Sequence, residues 1–160
     1  VAEGEDIPIA KLTTSEVEVT IKKVGKGVEL KDGKDVTIIA TGLMVKEAIE
    51  AAEALEAEGV SVELINMHTI KPIDRDIIIK AAKETGAIVT AEEHNIIGGL
   101  GSAVAEAVAE ECPVPVIRVG VNDEFGKSGP AVELLHLYGL DAENIVIKAK
   151  KAIELKNKLA

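Results

Sequence analysis

Short apolar runs that alternate with helix-periodic segments constrain the fold of this chain more than any other feature. Four such runs, VTIIATG, SVELINM, AIVTA and PVIRVGV, are separated by segments whose apolar residues recur at intervals of three and four. Strands that are joined through a helix run parallel, and parallel strands are covered on both faces. The pattern therefore predicts a mainly parallel sheet between two helical layers, which is a three-layer α/β/α sandwich.

A fifth, shorter strand precedes the first buried run. The segment GVEL at 27–30 is followed by the turn Lys31-Asp32-Gly33 and then by VTIIATG. A turn of this kind between two apolar segments is typical of a hairpin, so we expect the short strand to fold back onto the first buried one. The predicted sheet then has five strands, with one antiparallel strand at an edge.

Capping residues set the predicted ends of the helices. Asp74 is the expected N-cap of the second helix, which Gly86 ends, and Ser102 is the expected N-cap of the third. Two further helices are expected from about Pro130 and from about Asp141. The apolar face of the first helix comprises Val45, Ala48, Ile49, Ala52 and Leu55.

Composition and charge exclude several classes of function. The chain of 160 residues has one Phe, one Tyr, no Trp and a formal net charge of −10. Single-stranded nucleic-acid binders need aromatic platforms and basic surfaces, so we expect no nucleic-acid partner. A single cysteine, Cys112, cannot form an internal disulfide, and no apolar run approaches the roughly 20 residues that span a bilayer. We therefore expect a cytoplasmic location and no membrane partner.

The stretch AEEHNIIGGLGSAVAEAV at 91–108 is the main candidate for a functional site. Glycines between a strand and a helix can cradle a phosphate, but here they read G-G-x-G-S-A, and no Lys follows the last glycine. The acidic side chains nearby would repel an anion. We therefore interpret the stretch as a polar loop for packing or interface contacts, with phosphate binding as the alternative. Its candidate residues are Glu92, Glu93, His94, Gly98, Gly99, Gly101 and Ser102.

A second glycine segment, GVNDEFGKS at 120–128, resembles a phosphate-binding loop only superficially. Five residues separate its glycines where the motif requires four, and two of the five are Asp123 and Glu124. We interpret it as a strand-to-helix loop in which Ser128 or Gly129 caps the helix that follows.

The histidines and nucleophiles give no clear catalytic set. His68, His94 and His136 lack a second ligand at the spacing that a metal site needs. His94 is a candidate proton donor or polar interface contact, with a structural, hydrogen-bonded histidine as the alternative. Ser102 lacks the nucleophile-elbow motif, and the acidic neighbours of Cys112 would raise the pKa of its thiol. We predict no catalytic, cofactor-binding or metal-binding residue in this chain.

Four segments taken together resemble a known family. They are ATGLMVKEAIEAAEAL, INMHTIKPID, GAIVTAEEHNIIGGLGSAVAE and VNDEFGKSGPAVELLHLYGLDAENI, in this order along the chain. In this combination the chain is similar to the C-terminal domain of transketolase, and in particular to the C-terminal section of split, two-subunit transketolases. The resemblance covers about residues 27–158. It implies a C-terminal-like domain over residues 27–160 and an arm or linker from an upstream domain over residues 1–26.

The resemblance implies a thiamine-diphosphate-dependent transferase of the pentose phosphate pathway that moves a two-carbon ketol unit between sugar phosphates. In the family, thiamine diphosphate and Mg²⁺ sit between two upstream domains. The diphosphate motif GDG followed by paired Asn is absent from these 160 residues, so this chain alone is predicted to bind no cofactor and to be inactive. The implied partners are the upstream domains or N-terminal subunit, and a second copy in a homodimer.

Related families stay open as alternatives. The 1-deoxyxylulose-5-phosphate synthases and the beta subunits of 2-oxo acid dehydrogenases share this domain. The chain could also be an independent module for a neutral or cationic small molecule, or a protein-interaction domain that docks onto a carrier core.

Overall fold

The computed structural model describes residues 23–123 and 131–159, in which five strands and five helices alternate almost regularly. In chain order the elements are β1 (Val28–Lys31), β2 (Val36–Ala40), α1 (Met44–Ala57), β3 (Val62–Asn66), α2 (Arg75–Thr85), β4 (Ile88–Asn95), α3 (Leu100–Glu111), β5 (Val116–Val121), α4 (Ala131–Leu137) and α5 (Ala142–Leu159).

The strands form one sheet in the order β1-β3-β2-β4-β5. Strands β3, β2, β4 and β5 run parallel, and β1 is antiparallel to β3 at the edge. Helices α1 and α5 cover one face and α2 and α3 the other, and each face is packed with aliphatic side chains. The predicted three-layer sandwich with one antiparallel edge strand is therefore confirmed.

The predicted hairpin between the first two strands is wrong. Strand β1 pairs with β3, with Val28 opposite Asn66, and β2 lies beyond β3. The turn instead carries the chain past the start of β3, where a Cβ on Gly33 would collide with the backbone of Val62. The Asp35 N–H donates to the Ser61 carbonyl at 2.9 Å and fixes this crossing.

Two of the predicted helix ends are confirmed and one is wrong. The Asp74 side chain accepts a hydrogen bond from the Ile77 N–H, and Gly86 ends α2 in the left-handed conformation with φ +69°. Helix α3 instead begins at Leu100, so Ser102 lies in its first turn and does not cap it.

The predicted start of the last helix agrees with the structure, whereas the strand predicted over AIVTA is longer and runs to Asn95. Helix α5 starts one residue after Asp141, which accepts a hydrogen bond from the Asn144 N–H. Pro130 and the predicted cap at Ser128 or Gly129 lie outside the described residues, as does the predicted arm apart from its last four residues. None of the helices in the described part of the chain is long and apolar enough to cross a membrane.

Candidate functional site

The carboxyl edge of the sheet, where β2, β3, β4 and β5 end, is the natural place for a site in this fold. Ligands of open α/β sheets bind beyond the carboxyl ends of the strands, where neighbouring strands lead to helices on opposite faces. Here β2 leads to α1 on one face, and its neighbour β4 leads to α3 on the other. The glycine-rich stretch lies at this crevice.

Three of the candidate residues lie on a strand rather than in a loop. Strand β4 is eight residues long and runs to Asn95, so it includes Glu92, Glu93 and His94. Because successive side chains of a strand alternate, Glu92 points towards α3 and Glu93 towards the β2–α1 turn. Glu92 is fully buried, Glu93 is half-buried and His94 is exposed.

The Glu92 carboxylate occupies the N-terminus of α3. Its Oε2 accepts from the Leu100 N–H at 2.8 Å and its Oε1 accepts from the Gly101 N–H at 2.9 Å. These are the free N–H groups that a bound phosphate would need, and the helix dipole favours a negative charge at this end. The side chain therefore takes the place that an anionic ligand would occupy at these two N–H groups.

The glycines of the loop permit this close approach. A Cβ on Gly99 would collide with Glu92 Oε2, and a Cβ on Gly101 would lie 2.7 Å from both Thr90 Oγ1 and the Arg118 side chain. Gly98 has open space around it, but its φ of +78° favours glycine. The interpretation of the glycines as packing and turn residues agrees with this geometry.

Ser102, in the first turn of α3, forms hydrogen bonds with two residues of the loop. Its Oγ accepts from the Gly98 N–H at 2.9 Å and donates to the Ile96 carbonyl at 3.1 Å. The Arg118 guanidinium donates to the same carbonyl at 3.0 Å. Hydrogen bonds from Ser102 and Arg118 therefore hold the loop in one conformation.

Glu93 is held differently from Glu92. Its carboxylate lies directly against Gly42, which has a φ of +58° in the turn before α1, and a Cβ there would collide with it. One oxygen, Oε2, is buried and has no hydrogen-bond partner among the described residues. Glu93 is thus an acceptor with unused capacity beside the exposed His94.

A buried polar cluster that the sequence analysis missed lies towards the amino end of β3. Glu63 is fully buried, and its Oε2 accepts from the Thr37 hydroxyl at 2.7 Å. Its Oε1 has no hydrogen-bond partner in the described part of the chain, and the Lys80 ammonium lies 3.8 Å away. Burial raises the pKa of Glu63, whereas Thr37 and Lys80 lower it by a smaller amount.

Only the alternation of side chains along β3 could have indicated this cluster. The run VELIN has one charged residue, and parallel strands are covered on both faces, so Glu63 has to point into a helical layer.

Two open clefts of about 470 and 450 Å³ lie beside Lys80 and Glu84, away from the carboxyl edge. Both clefts are lined by acidic and basic side chains, so their charge indicates no single class of ligand.

The histidines are not brought together. His68 is half-buried with its Nδ1 at 3.0 Å from Thr69 Oγ1, and burial lowers its pKa. His136 is paired with Asp141 at 3.2 Å on an exposed surface. Within residues 23–123 and 131–159, no three His, Cys, Asp or Glu side chains are grouped as a metal site would require.

The family model described as transketolase, C-terminal domain, matches residues 25–145. The chain belongs to the transketolase C-terminal domain family. The matched range contains strands β1 to β5 and helices α1 to α4, and so includes the glycine loop between β4 and α3.

Relatives and a solved structure agree with this membership. The chain is 47% identical over 150 residues to the 6-deoxy-6-sulfo-D-fructose transketolase subunit SqwH of Clostridium sp. (strain MSTE9), which is 94% of this chain and 46% of that protein. It is 50% identical over 141 residues to the putative transketolase C-terminal section of Methanocaldococcus jannaschii, covering 88% and 42%. It superimposes with a TM-score of 0.82 and 49% identity on a split gene transketolase solved as an inactive beta4 tetramer, covering 92% of this chain and 48% of the other.

The transketolase-family chain spans less than half the length of these relatives. The 1-deoxy-D-xylulose-5-phosphate synthase of Heliobacterium modesticaldum is also related, with 44% identity over 139 residues, which is 86% of this chain and 22% of the synthase. The glycine loop does not fit the diphosphate of thiamine diphosphate, because Glu92 already accepts from the Leu100 and Gly101 N–H groups.

Proposed function

We propose that this chain is the C-terminal domain of a thiamine-diphosphate-dependent transketolase that moves a two-carbon ketol unit between sugar phosphates. The domain itself binds no cofactor and contributes to packing and dimer assembly in the complete enzyme. The observation that supports this most strongly is the Glu92 carboxylate at the N-terminus of α3, in a chain that belongs to this family. Because the Glu92 carboxylate already accepts from the N–H groups at the glycine loop, we assign diphosphate binding to the upstream domains.

The proposal assigns different tasks to the candidate residues. Glu92, Gly99, Gly101 and Ser102 give the β4–α3 connection a fixed shape. His94 stays available for contacts with an upstream domain or with a second copy, because it is exposed. The Glu93 carboxylate instead packs against Gly42, and its buried Oε2 has no hydrogen-bond partner among the described residues. A cytoplasmic location belongs to the same proposal and rests on the single cysteine, Cys112.

A second candidate function is formation of 1-deoxy-D-xylulose 5-phosphate. It is supported by the 44% identity to the Heliobacterium modesticaldum synthase. The smaller share of that protein covered, 22% against 42% and 46% for the transketolase relatives, favours the split transketolase.

Reconstitution tests the proposal. This chain is mixed with a partner that contains the two upstream transketolase domains, together with thiamine diphosphate and Mg²⁺, and ketol transfer between sugar phosphates is assayed. We expect activity in the mixture and none from either component alone. Formation of 1-deoxy-D-xylulose 5-phosphate instead of ketol transfer would favour the second candidate function. Tight binding of thiamine diphosphate by this chain alone would contradict the proposal that only the upstream domains bind the cofactor.

A further inference from the structure

Three carboxyl groups share one ammonium group between the sheet and α2. Lys80 Nζ on α2 lies 2.7 Å from Glu29 Oε2 on β1 and 3.4 Å from Glu84 Oε2 on its own helix. It also lies 3.8 Å from Glu63 Oε1 on β3. Lys80, Glu29 and Glu84 are the charged groups that act on Glu63. The contact with Glu29 raises the pKa of Lys80, so the ammonium stays charged while carboxyl groups titrate.

The most distant of the three carboxyl groups has the greatest need for a partner. Glu63 is fully buried, its Oε2 accepts from the Thr37 hydroxyl, and its Oε1 has no hydrogen-bond partner among the described residues. A protonated carboxyl group can be buried in this way at moderate cost, whereas a buried carboxylate requires a donor or a cation. Lys80 is the nearby cation, and its shortest contact is with Glu29.

An ion pair on each face of the sheet holds strand β1. Glu29 and Lys31 would lie on the same face of a regular strand, but the pairing of β1 with β3 shifts between them. Lys31 pairs with Glu56 on α1, and Glu29 pairs with Lys80 on α2, on the opposite face. Because β1 has only four residues and lies at the edge of the sheet, its attachment depends on these side-chain pairs as well as on β3.

We propose that Glu63, Lys80 and Glu29, here called the Glu63 latch, control the attachment of β1 through one proton. While Glu63 is protonated, Lys80 pairs with Glu29 and fastens β1 to α2. When Glu63 releases its proton to water, Lys80 moves towards the buried Oε1, because a charge attracts more strongly there than at the partly exposed Glu29. Glu29 then loses its closest cation, and β1 separates from β3 more often. The open cleft lined by Glu29, Lys80 and Glu84 leaves room for this movement.

Rising pH should therefore loosen β1. Burial raises the pKa of Glu63, and closer pairing with Lys80 in the loosened form lowers it, so the loosened form holds fewer protons than the fastened form. By linkage, loosening is suppressed below the folded pKa of Glu63 and favoured above it. The Glu63 latch is a property of this domain alone and does not depend on the proposed function.

Amide hydrogen exchange of the full chain tests the Glu63 latch. Carboxyl ¹³C signals of the same sample give the pH at which Glu63 titrates. Global unfolding exposes β1 and β2 together, so a fall in protection that is confined to β1 reports local opening. We expect protection of the β1 amides to fall at least threefold more than that of the β2 amides across the pH range in which Glu63 titrates.

Three variants separate the Glu63 latch from a general weakening of the strand. Glu63→Gln cannot ionise, so the pH-dependent fall in β1 should disappear. Glu29→Gln removes the contact that Lys80 leaves, so β1 should be loosened to the same degree at every pH. The matched control is Glu56→Gln, which weakens the other ion pair of β1 and should keep the pH-dependent fall. Glu29→Gln decides the matter if Glu63→Gln does not fold.

Several outcomes would overturn the Glu63 latch. They are an equal change of protection in β1 and β2, a pH-dependent fall in β1 that persists in Glu63→Gln or Glu29→Gln, and a fall that Glu56→Gln abolishes. A Glu63 signal that does not titrate below about pH 9 would also overturn it, because Lys80 would then stay with Glu29.

Discussion

Glu92 and Glu63 are both fully buried and both point to the α2/α3 face of the same sheet, yet their carboxyl groups are held in opposite ways. Glu92, at the carboxyl edge, accepts backbone N–H groups on both oxygens. Glu63, towards the amino end, accepts one hydroxyl hydrogen bond, and its second oxygen lies 3.8 Å from the Lys80 ammonium.

The difference shows how a buried carboxylate can be stabilised. Helix N–H groups are fixed by the backbone, lie along the helix dipole and need no reorganisation, so they compensate well for lost hydration. A hydroxyl and a half-exposed lysine compensate less, and burial consequently raises the pKa of Glu63. Glu92 should therefore act as a rigid structural element. The raised pKa of Glu63 should make the free energy of unfolding depend on pH.

Removing the Glu92 side chain should give the largest effect. Glu92→Ala leaves the Leu100 and Gly101 N–H groups buried without a partner, so we expect a loss of about 3 kcal/mol in the free energy of unfolding. Urea denaturation at neutral pH measures it. Glu106→Ala, on an exposed position of the same helix, should cost less than about 0.5 kcal/mol, and similar losses at both positions would contradict the assignment.

Substitution of Gly99 should give the next largest effect. The backbone of Gly99 has φ −93° and ψ −155°, which alanine can adopt, so the cost of Gly99→Ala arises from collision. The Cβ would lie 2.0 Å from Glu92 Oε2, which is the severer contact, and 2.9 Å from the Asn95 carbonyl oxygen. We expect about 2 kcal/mol, against about 1 kcal/mol for Gly98→Ala, where only the positive φ is unfavourable.

A double-mutant cycle sharpens this prediction. In the Glu92→Ala background, Gly99→Ala should cost clearly less, because the carboxylate that it meets is gone. Strict additivity of the two changes would show that Gly99 is needed for some other reason.

Glu63→Gln should have a smaller effect with a distinct pH signature. Because the folded pKa of Glu63 lies above its ordinary value, the native state holds the proton longer than the unfolded state does. The stability from this group is fully present below about pH 4.5 and is lost as pH rises through the raised folded pKa. Glu63→Gln should remove this decline, with a difference on the order of 1 kcal/mol near neutral pH. Parallel stability curves for wild type and variant between pH 4 and 8 would refute it.

Lys80→Met should give the smallest change. It removes the cation near Glu63 Oε1, so the pKa of Glu63 rises further and the decline in stability extends to higher pH. Lys83→Met, on the same helix, is the control and should not change the dependence of stability on pH. Thermal unfolding across the same pH range measures both, and an unchanged pH window for Lys80→Met would show that Lys80 does not act on Glu63.

The buried strands and the layer order could be predicted because they depend on local pattern. A strand that is covered on both faces needs a mainly apolar run, and β2, β3 and β5 each provide one. The pairing of β1 could not be predicted in this way. Strand β2 is flanked by β3 and β4, so the only free edge on that side of the sheet belongs to β3.

The position of the glycine-rich stretch between a strand and a helix could be predicted from the sequence, but its hydrogen bonds could not. Local capping rules point to Ser102, whereas the cap of α3 is Glu92, eight residues before Leu100 and on the preceding strand. The sequence predicts a polar loop for Glu92–His94, but β4 continues across an irregularity in its pairing with β5 until Asn95 lies opposite Val121. Such contacts depend on which strand end meets which helix, and sequence spacing does not encode that.

The carboxylate on α3 also has a consequence for the environment in which the domain works. The Glu92 carboxylate already accepts the hydrogen bonds of the N–H groups at the start of α3. The geometry of the β4–α3 connection should therefore not vary with the concentration of phosphate, nucleotides or sugar phosphates around the domain. In the transketolase that we propose, that independence keeps sugar phosphates from competing for a structural position.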